Sequence, residues 1–162
     1  MGTRSEIWIK RVDREDWIVK LYKHWDGYPE YMMPYFKEFA EFASKAVGGQ
    51  LHWLSYPEDV GALLIAFDYE DAKKLYSDGT IFYIRPDIRP KGYINDLIEY
   101  VYVIRISKSV DQKVIWTIKC YRVKSVKEAN AIRGEDLELE REASVAFSLE
   151  ENRVVYVIRG FD

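Results

Sequence analysis

Cysteine is almost absent. Cys120 is the only one in 162 residues, so the chain cannot close a disulfide on itself or build a cysteine-only zinc cluster. Histidine is nearly as scarce. His24 and His52 are the only imidazoles, and no dense ligand spacing surrounds either, so no metal site is expected. Amide side chains are limited to Gln50, Gln112, Asn95, Asn130 and Asn152, while Lys, Arg and Glu dominate the polar residues, a usage that resembles hyperthermophile proteins. No run of about 18 apolar residues could span a bilayer, and no basic-then-apolar leader opens the chain. Together with the lone cysteine, these absences point to the reducing cytoplasm of a cell or of a virus-infected cell. Positive charge is also short: 24 Lys and Arg stand against 27 Asp and Glu, and a net charge of −3 gives no overall cationic field for nucleic acid. Glycine-rich phosphate and dinucleotide fingerprints are missing, as is a Gly-x-Ser-x-Gly elbow, so no cofactor is implied and no catalytic residue can be named.

Aromatic residues are what the chain has in excess. Phe, Trp and Tyr make up 15% of it, with 13 tyrosines, and flat rings suit the pleated surface of a sheet. Ile7 to Ile9 and Trp17 to Tyr22, separated by the polar turn Asp13 to Asp16, predict a β-hairpin. The second strand runs into a corner, His24 to Glu30. Beyond it, apolar residues from Tyr35 to Ala46 recur at three and four, which predicts an amphipathic helix with Pro34 in its first turn and Gly48-Gly49 at its end. A second helix is expected from a capping box at Ser55 and Glu58, with Val60 to Phe67 covered on most sides, ending near Asp68 or Tyr76.

The remainder reads as strands at 80–85, 97–106, 114–122, 137–147 and 154–159, with turns at 109–113 and 150–153 and a capped helical turn from Ser125 to about Gly134. The segment from Pro86 to Asp96 reads as a loop longer than the usual ~4 to 6 residues, the kind of connection that often carries function. These elements predict one α+β domain over residues 1–162, a mostly antiparallel sheet with the two N-terminal-half helices packed on one face. Parallel pairing between an early and a late strand is compatible with the pattern.

The densest chemistry lies at the corner. His24 and Asp26 project to one side if the strand runs straight, which would give a base and its orienter. The plainer reading is a turn: Asp26 with Gly27 is a standard turn pair, Gly27 permits unusual backbone angles, and Pro29 fixes the way into the helix. Trp25 and Tyr28 either stack on a ligand or cover the end of the core. The candidate binding set is therefore His24, Trp25, Asp26, Tyr28, and Arg85 or Arg89 to hold an anion.

The run His24-Trp25-Asp26-Gly27-Tyr28-Pro29 resembles a signature of small uncharacterised proteins from prokaryotes and their viruses. Ile98 to Ile104 looks like a later strand of the same group. The resemblance covers about the first two-thirds of the chain. It implies kinship with a group of mobile-element or prokaryotic origin but brings no activity with it. Tyr31-Met32-Met33 departs from the smaller residues usual after that motif.

Three functions are weighed. The preferred one is a non-enzymatic binding or accessory module that recognises a protein or small ligand with the corner. The second is a hydrolase-like enzyme with His24 as base and Asp26 as orienter. The third is a nucleic-acid mimic using the acidic stripe Glu135, Asp136, Glu138, Glu140 and Glu142, for which a solvated sheet face paired with Lys or Arg is the plainer account. Cys120 reads as a small buried hydrophobe. Tyrosines left on an edge strand would make a homodimer the outlet for the aromatic surplus.

Overall fold

The structure, a computed structural model, describes residues 2–75, 87–91, 97–108, 113–124, 137–150 and 153–159; for 73–75, 139–150 and 153–159 it describes the backbone alone. The hairpin forms as β1 (Arg4–Arg11) and β2 (Arg14–Lys23), antiparallel, with Ile7 opposite Leu21 and Ile9 opposite Val19. Helix α1 spans Pro29–Ala46 and α2 spans Pro57–Leu75, with a 3-10 turn at Leu51–Ser55 between them. Then follow β3 (Ile88–Pro90), β4 (Ile98–Lys108), β5 (Val114–Val123), β6 (Leu137–Glu150) and β7 (Arg153–Arg159). The fold is α+β. Its sheet runs β3-β2-β1-β4-β5-β6-β7, and every neighbouring pair is antiparallel except β1 with β4, which is parallel.

Period two divides the strands between two clusters. Ile7, Ile9, Leu21, Ile88, Tyr102, Ile104, Trp116 and Ile118 join the buried residues of α1 and α2 in the main core. Their sequence neighbours Val101 and Val103 join Ile98 and Val123 in a second cluster, with Trp8 and Tyr121 packed against it. Within the main core Phe39 stacks on Trp116 with centroids 5.4 Å apart, and the Trp116 indole donates to the Leu54 carbonyl at 2.9 Å. Each such fully buried large side chain contributes about 1.5 to 3 kcal/mol through removal from water.

Helix boundaries differ from the expected ones for identifiable reasons. Helix α1 begins five residues earlier, because Pro29 occupies its first position and the Tyr28 carbonyl accepts the amides of Tyr31 and Met32. Pro34 therefore lies inside the helix, where it removes one donor. The C-terminus falls as expected, with Gly48 and Gly49 at φ 56° and 83°. The capping box does not form: Ser55 Oγ donates to the His52 carbonyl at 2.6 Å, and Glu58 accepts the Trp17 indole at 2.6 Å. Helix α2 is also more one-sided than its composition suggests, with Ala62 and Ala66 exposed.

Part of the expected long loop is a strand. Ile88 to Pro90 pairs with Lys23 to Leu21 at the edge of the sheet. The expected strand at 80–85, the helical turn after Ser125 and nearly all of the turn at 109–113 lie outside the described residues, as do Arg85, Glu135 and Asp136.

Candidate functional site

The corner is built where β2 stops. Lys23 is its last residue, so His24 and Asp26 do not continue a straight strand. Asp26 takes φ 53°, the left-handed region, and is exposed. The unusual backbone angle thus belongs to the aspartate, whose short polar side chain tolerates it. Gly27 has another role. A Cβ there would lie 2.8 Å from the Thr3 carbonyl oxygen and 2.7 Å from Ser5 Oγ, so only glycine fits between the corner and β1. Its amide donates to Thr3 O at 2.9 Å, and its carbonyl accepts the Tyr102 hydroxyl at 2.6 Å.

The carboxylate that ties the corner down is Asp87 rather than Asp26. One oxygen accepts the Trp25 amide at 3.0 Å and the Lys23 ammonium at 2.8 Å, and the other accepts the His24 amide at 3.3 Å. Lys23 also donates to the Trp25 carbonyl, and its side chain is almost fully buried, 5.2 Å from the Tyr31 ring centroid. Asp87 is positioned in turn by Asp68 of α2. One Asp68 oxygen accepts the amides of Asp87 and Ile88 at 2.6 and 2.9 Å, and the other accepts the Tyr35 hydroxyl at 2.9 Å. Helix, edge strand and corner are thereby one hydrogen-bonded unit.

His24 has its Nδ1 2.7 Å from the Tyr22 hydroxyl, and its ring meets Trp25 edge-on with centroids 4.7 Å apart. Arg89 sits directly across from Tyr22, its guanidinium carbon 5.5 Å from that ring. The structure thus brings His24 and Arg89 against Tyr22, which sequence reasoning missed, with Trp25 on the His24 ring. Tyr28 goes another way and meets Tyr31 with centroids 6.2 Å apart. Trp25 and Tyr28 are 53% and 38% exposed, so both rings are presented to solvent.

Burial, and secondarily the carboxylates of Asp71, Asp26, Asp68 and Asp87, pushes the Tyr31 phenol up to about 12. Burial displaces Tyr35 and Tyr102 further in the same direction, assisted by Asp68 and by the Cys120 thiol respectively. Tyr35 and Tyr102 are neutral donors, suited to holding structure.

The second His-Trp pair lies elsewhere. His52 and Trp53 adjoin Tyr56, which packs against Trp17 near the start of β2, whereas His24 follows the end of that strand. The two imidazoles are separated by about the length of a strand, ~20 Å. Among the described residues, no group of three or more His, Cys, Asp or Glu side chains could hold a metal ion. Cys120 is buried in the main core.

Pairing of β5 with β6 jumps from Lys119–Ser144 to Tyr121–Leu139, a register irregularity in the strand that carries Glu138, Glu140 and Glu142. Glu138 is exposed and lies directly opposite Arg122. Among the described residues, no helix is long and apolar enough to cross a membrane.

No family model matches the chain, and neither the curated proteins nor the solved structures contain a detectable match.

Proposed function

We propose that the protein is a binding module, and that the corner from His24 to Tyr28, with Arg89 beside it, is its recognition surface. One observation carries the reading: the exposed Trp25 ring stands on a backbone already bonded to Asp87, two residues from a glycine clamped by Thr3 and Tyr102. A surface organised before its partner arrives avoids much of the ordering cost of association. Rings with one wet edge are also the side chains most often found at the centre of interfaces. The hydrolase reading is less well supported, because the His24 Nδ1 faces a phenol where a carboxylate orienter was expected. The nucleic-acid mimic is likewise less well supported, since Glu138 has Arg122 across the strand. The partner in this reading is a protein or a small ligand in the cytoplasm.

The test is a screen of small molecules and displayed peptides by amide chemical-shift mapping on the full chain. Binders should perturb residues 24–28 and lose affinity about tenfold or more in Trp25→Ala, as expected for a hot-spot ring, with the melting temperature nearly unchanged. Binders that map elsewhere and ignore Trp25→Ala would refute the proposal.

A further inference from the structure

A second feature occupies the sheet face opposite the main core. Strand register places Arg89, Tyr22 and Glu6 in one row across β3, β2 and β1. Trp8 lies opposite Lys20 in the next row, and the Lys91 amide donates to the Lys20 carbonyl, which extends that row to β3. Side chains two residues apart share a face, so these six form one contiguous patch.

Its charge is unbalanced. Glu6 is fully buried and accepts the Trp8 indole at 2.9 Å, with the Lys91 ammonium 3.4 Å away, all on one oxygen. Its second oxygen is buried without a partner. Lys20 lies 4.3 Å from the Trp8 ring centroid, and burial together with the Lys91 ammonium draws its pKa below the ordinary lysine value. Arg89 rests on Tyr22, and its Nε is buried without a partner. Within this patch three cations therefore face one carboxylate, and two of the buried polar atoms without a partner, a donor and an acceptor, lie here. Each such atom costs about 1 to 3 kcal/mol when left so, an arrangement expected of a site completed by a ligand.

We propose that this patch binds a phosphate group, with Arg89, Lys20 and Lys91 donating to its oxygens and Glu6 accepting a hydrogen bond from its hydroxyl. Phosphate carries the acceptor and the donor that the two unmatched atoms call for. Its oxygens accept from the Arg89 Nε, and near neutral pH, where its second ionisation lies, it retains a hydroxyl that can donate to the free oxygen of Glu6. Sulfate offers the same oxygens and no proton. The inference shares Arg89 with the proposed recognition surface, but its readouts at Glu6 and Lys20 do not depend on the His24 to Tyr28 corner, so the two can fail separately.

Calorimetric titration of the full chain at pH 6 and constant ionic strength, with inorganic phosphate, glycerol 3-phosphate and sulfate, tests it. Phosphate or its monoester should bind about tenfold or more tightly than sulfate, the factor one charge-assisted hydrogen bond supplies. Whichever of the two binds more tightly identifies free phosphate or a phosphorylated metabolite as the source. Arg89→Gln should weaken binding about tenfold, and Glu6→Gln should abolish the preference over sulfate. Trp53→Ala, at the far end of the hairpin, should change nothing. Lys20→Met provides a second readout: it should weaken binding and raise the melting temperature, since it removes a desolvated charge beside Lys91. Equal affinity for sulfate and phosphate, no binding at millimolar phosphate, or binding indifferent to Arg89→Gln and Lys20→Met would overturn the proposal.

Discussion

The Asp87 carboxylate accepts the Trp25 amide at 3.0 Å, across 62 residues of sequence. The same carboxylate neutralises the buried Lys23 ammonium, so one side chain both closes the corner and balances the charge beneath it. Asp87→Ala should therefore cost about 3 kcal/mol, the usual penalty for stranding one member of a buried pair. Urea denaturation measures it, and Asp87→Asn, which retains an acceptor, should lose less.

Gly27→Ala should be destabilising by on the order of 2 kcal/mol, because the added methyl meets the Thr3 carbonyl backbone, which cannot swing aside. Gly48→Ala is the contrasting case. Nothing lies within 4 Å of that position, so only the strain of its positive φ should be felt, about 1 kcal/mol. Thermal melts of the two variants should rank in that order.

Asp68→Ala removes the acceptor of the Tyr35 hydroxyl and of the Asp87 and Ile88 amides. A loss of about 3 kcal/mol is expected for several buried donors left unmatched. The distinguishing signature is local: the Ile88 amide should exchange faster than those of β5.

Alkaline pH should attack the same region. Tyr31 titrates near 12 in the folded protein and near 10 when unfolded. Folding therefore favours its neutral form. That stability is fully present below pH 10 and is lost as pH rises from about 10 towards 12. Absorbance at the phenolate band should show Tyr31, Tyr35 and Tyr102 ionising only above the ordinary tyrosine range, together with unfolding. Normal titration of every tyrosine in a folded chain would contradict this.

Much of the fold was legible because it rests on local pattern. The hairpin, strands β4 to β7 and the Gly48-Gly49 stop follow from alternation and turn chemistry that the sequence carries at short range. The corner was locatable for the same reason, since a histidine, tryptophan, aspartate, glycine and proline cluster at a strand end. What holds it was not legible. Asp87 sits in what reads as a loop, and nothing near it indicates that Ile88 to Pro90 adds an edge strand beside β2. Tyr22 could have been found, being the strand residue two positions before His24. Glu6 had a similar signal, as a carboxylate beside the apolar run Ile7 to Ile9 and two residues from Trp8. The capping box at Ser55 failed because a local bond to the His52 carbonyl claimed the serine and a tertiary contact with Trp17 claimed Glu58.

The preformed corner is tested most directly by hydrogen exchange at the Trp25 amide, measured by NMR in the wild-type chain and in Asp87→Ala. The account predicts strong protection in the wild type and its loss in the variant, with the amides of β5 still protected in both. Exchange of the wild-type Trp25 amide at the rate of a free peptide would show that the corner is not organised before binding, and would contradict the account.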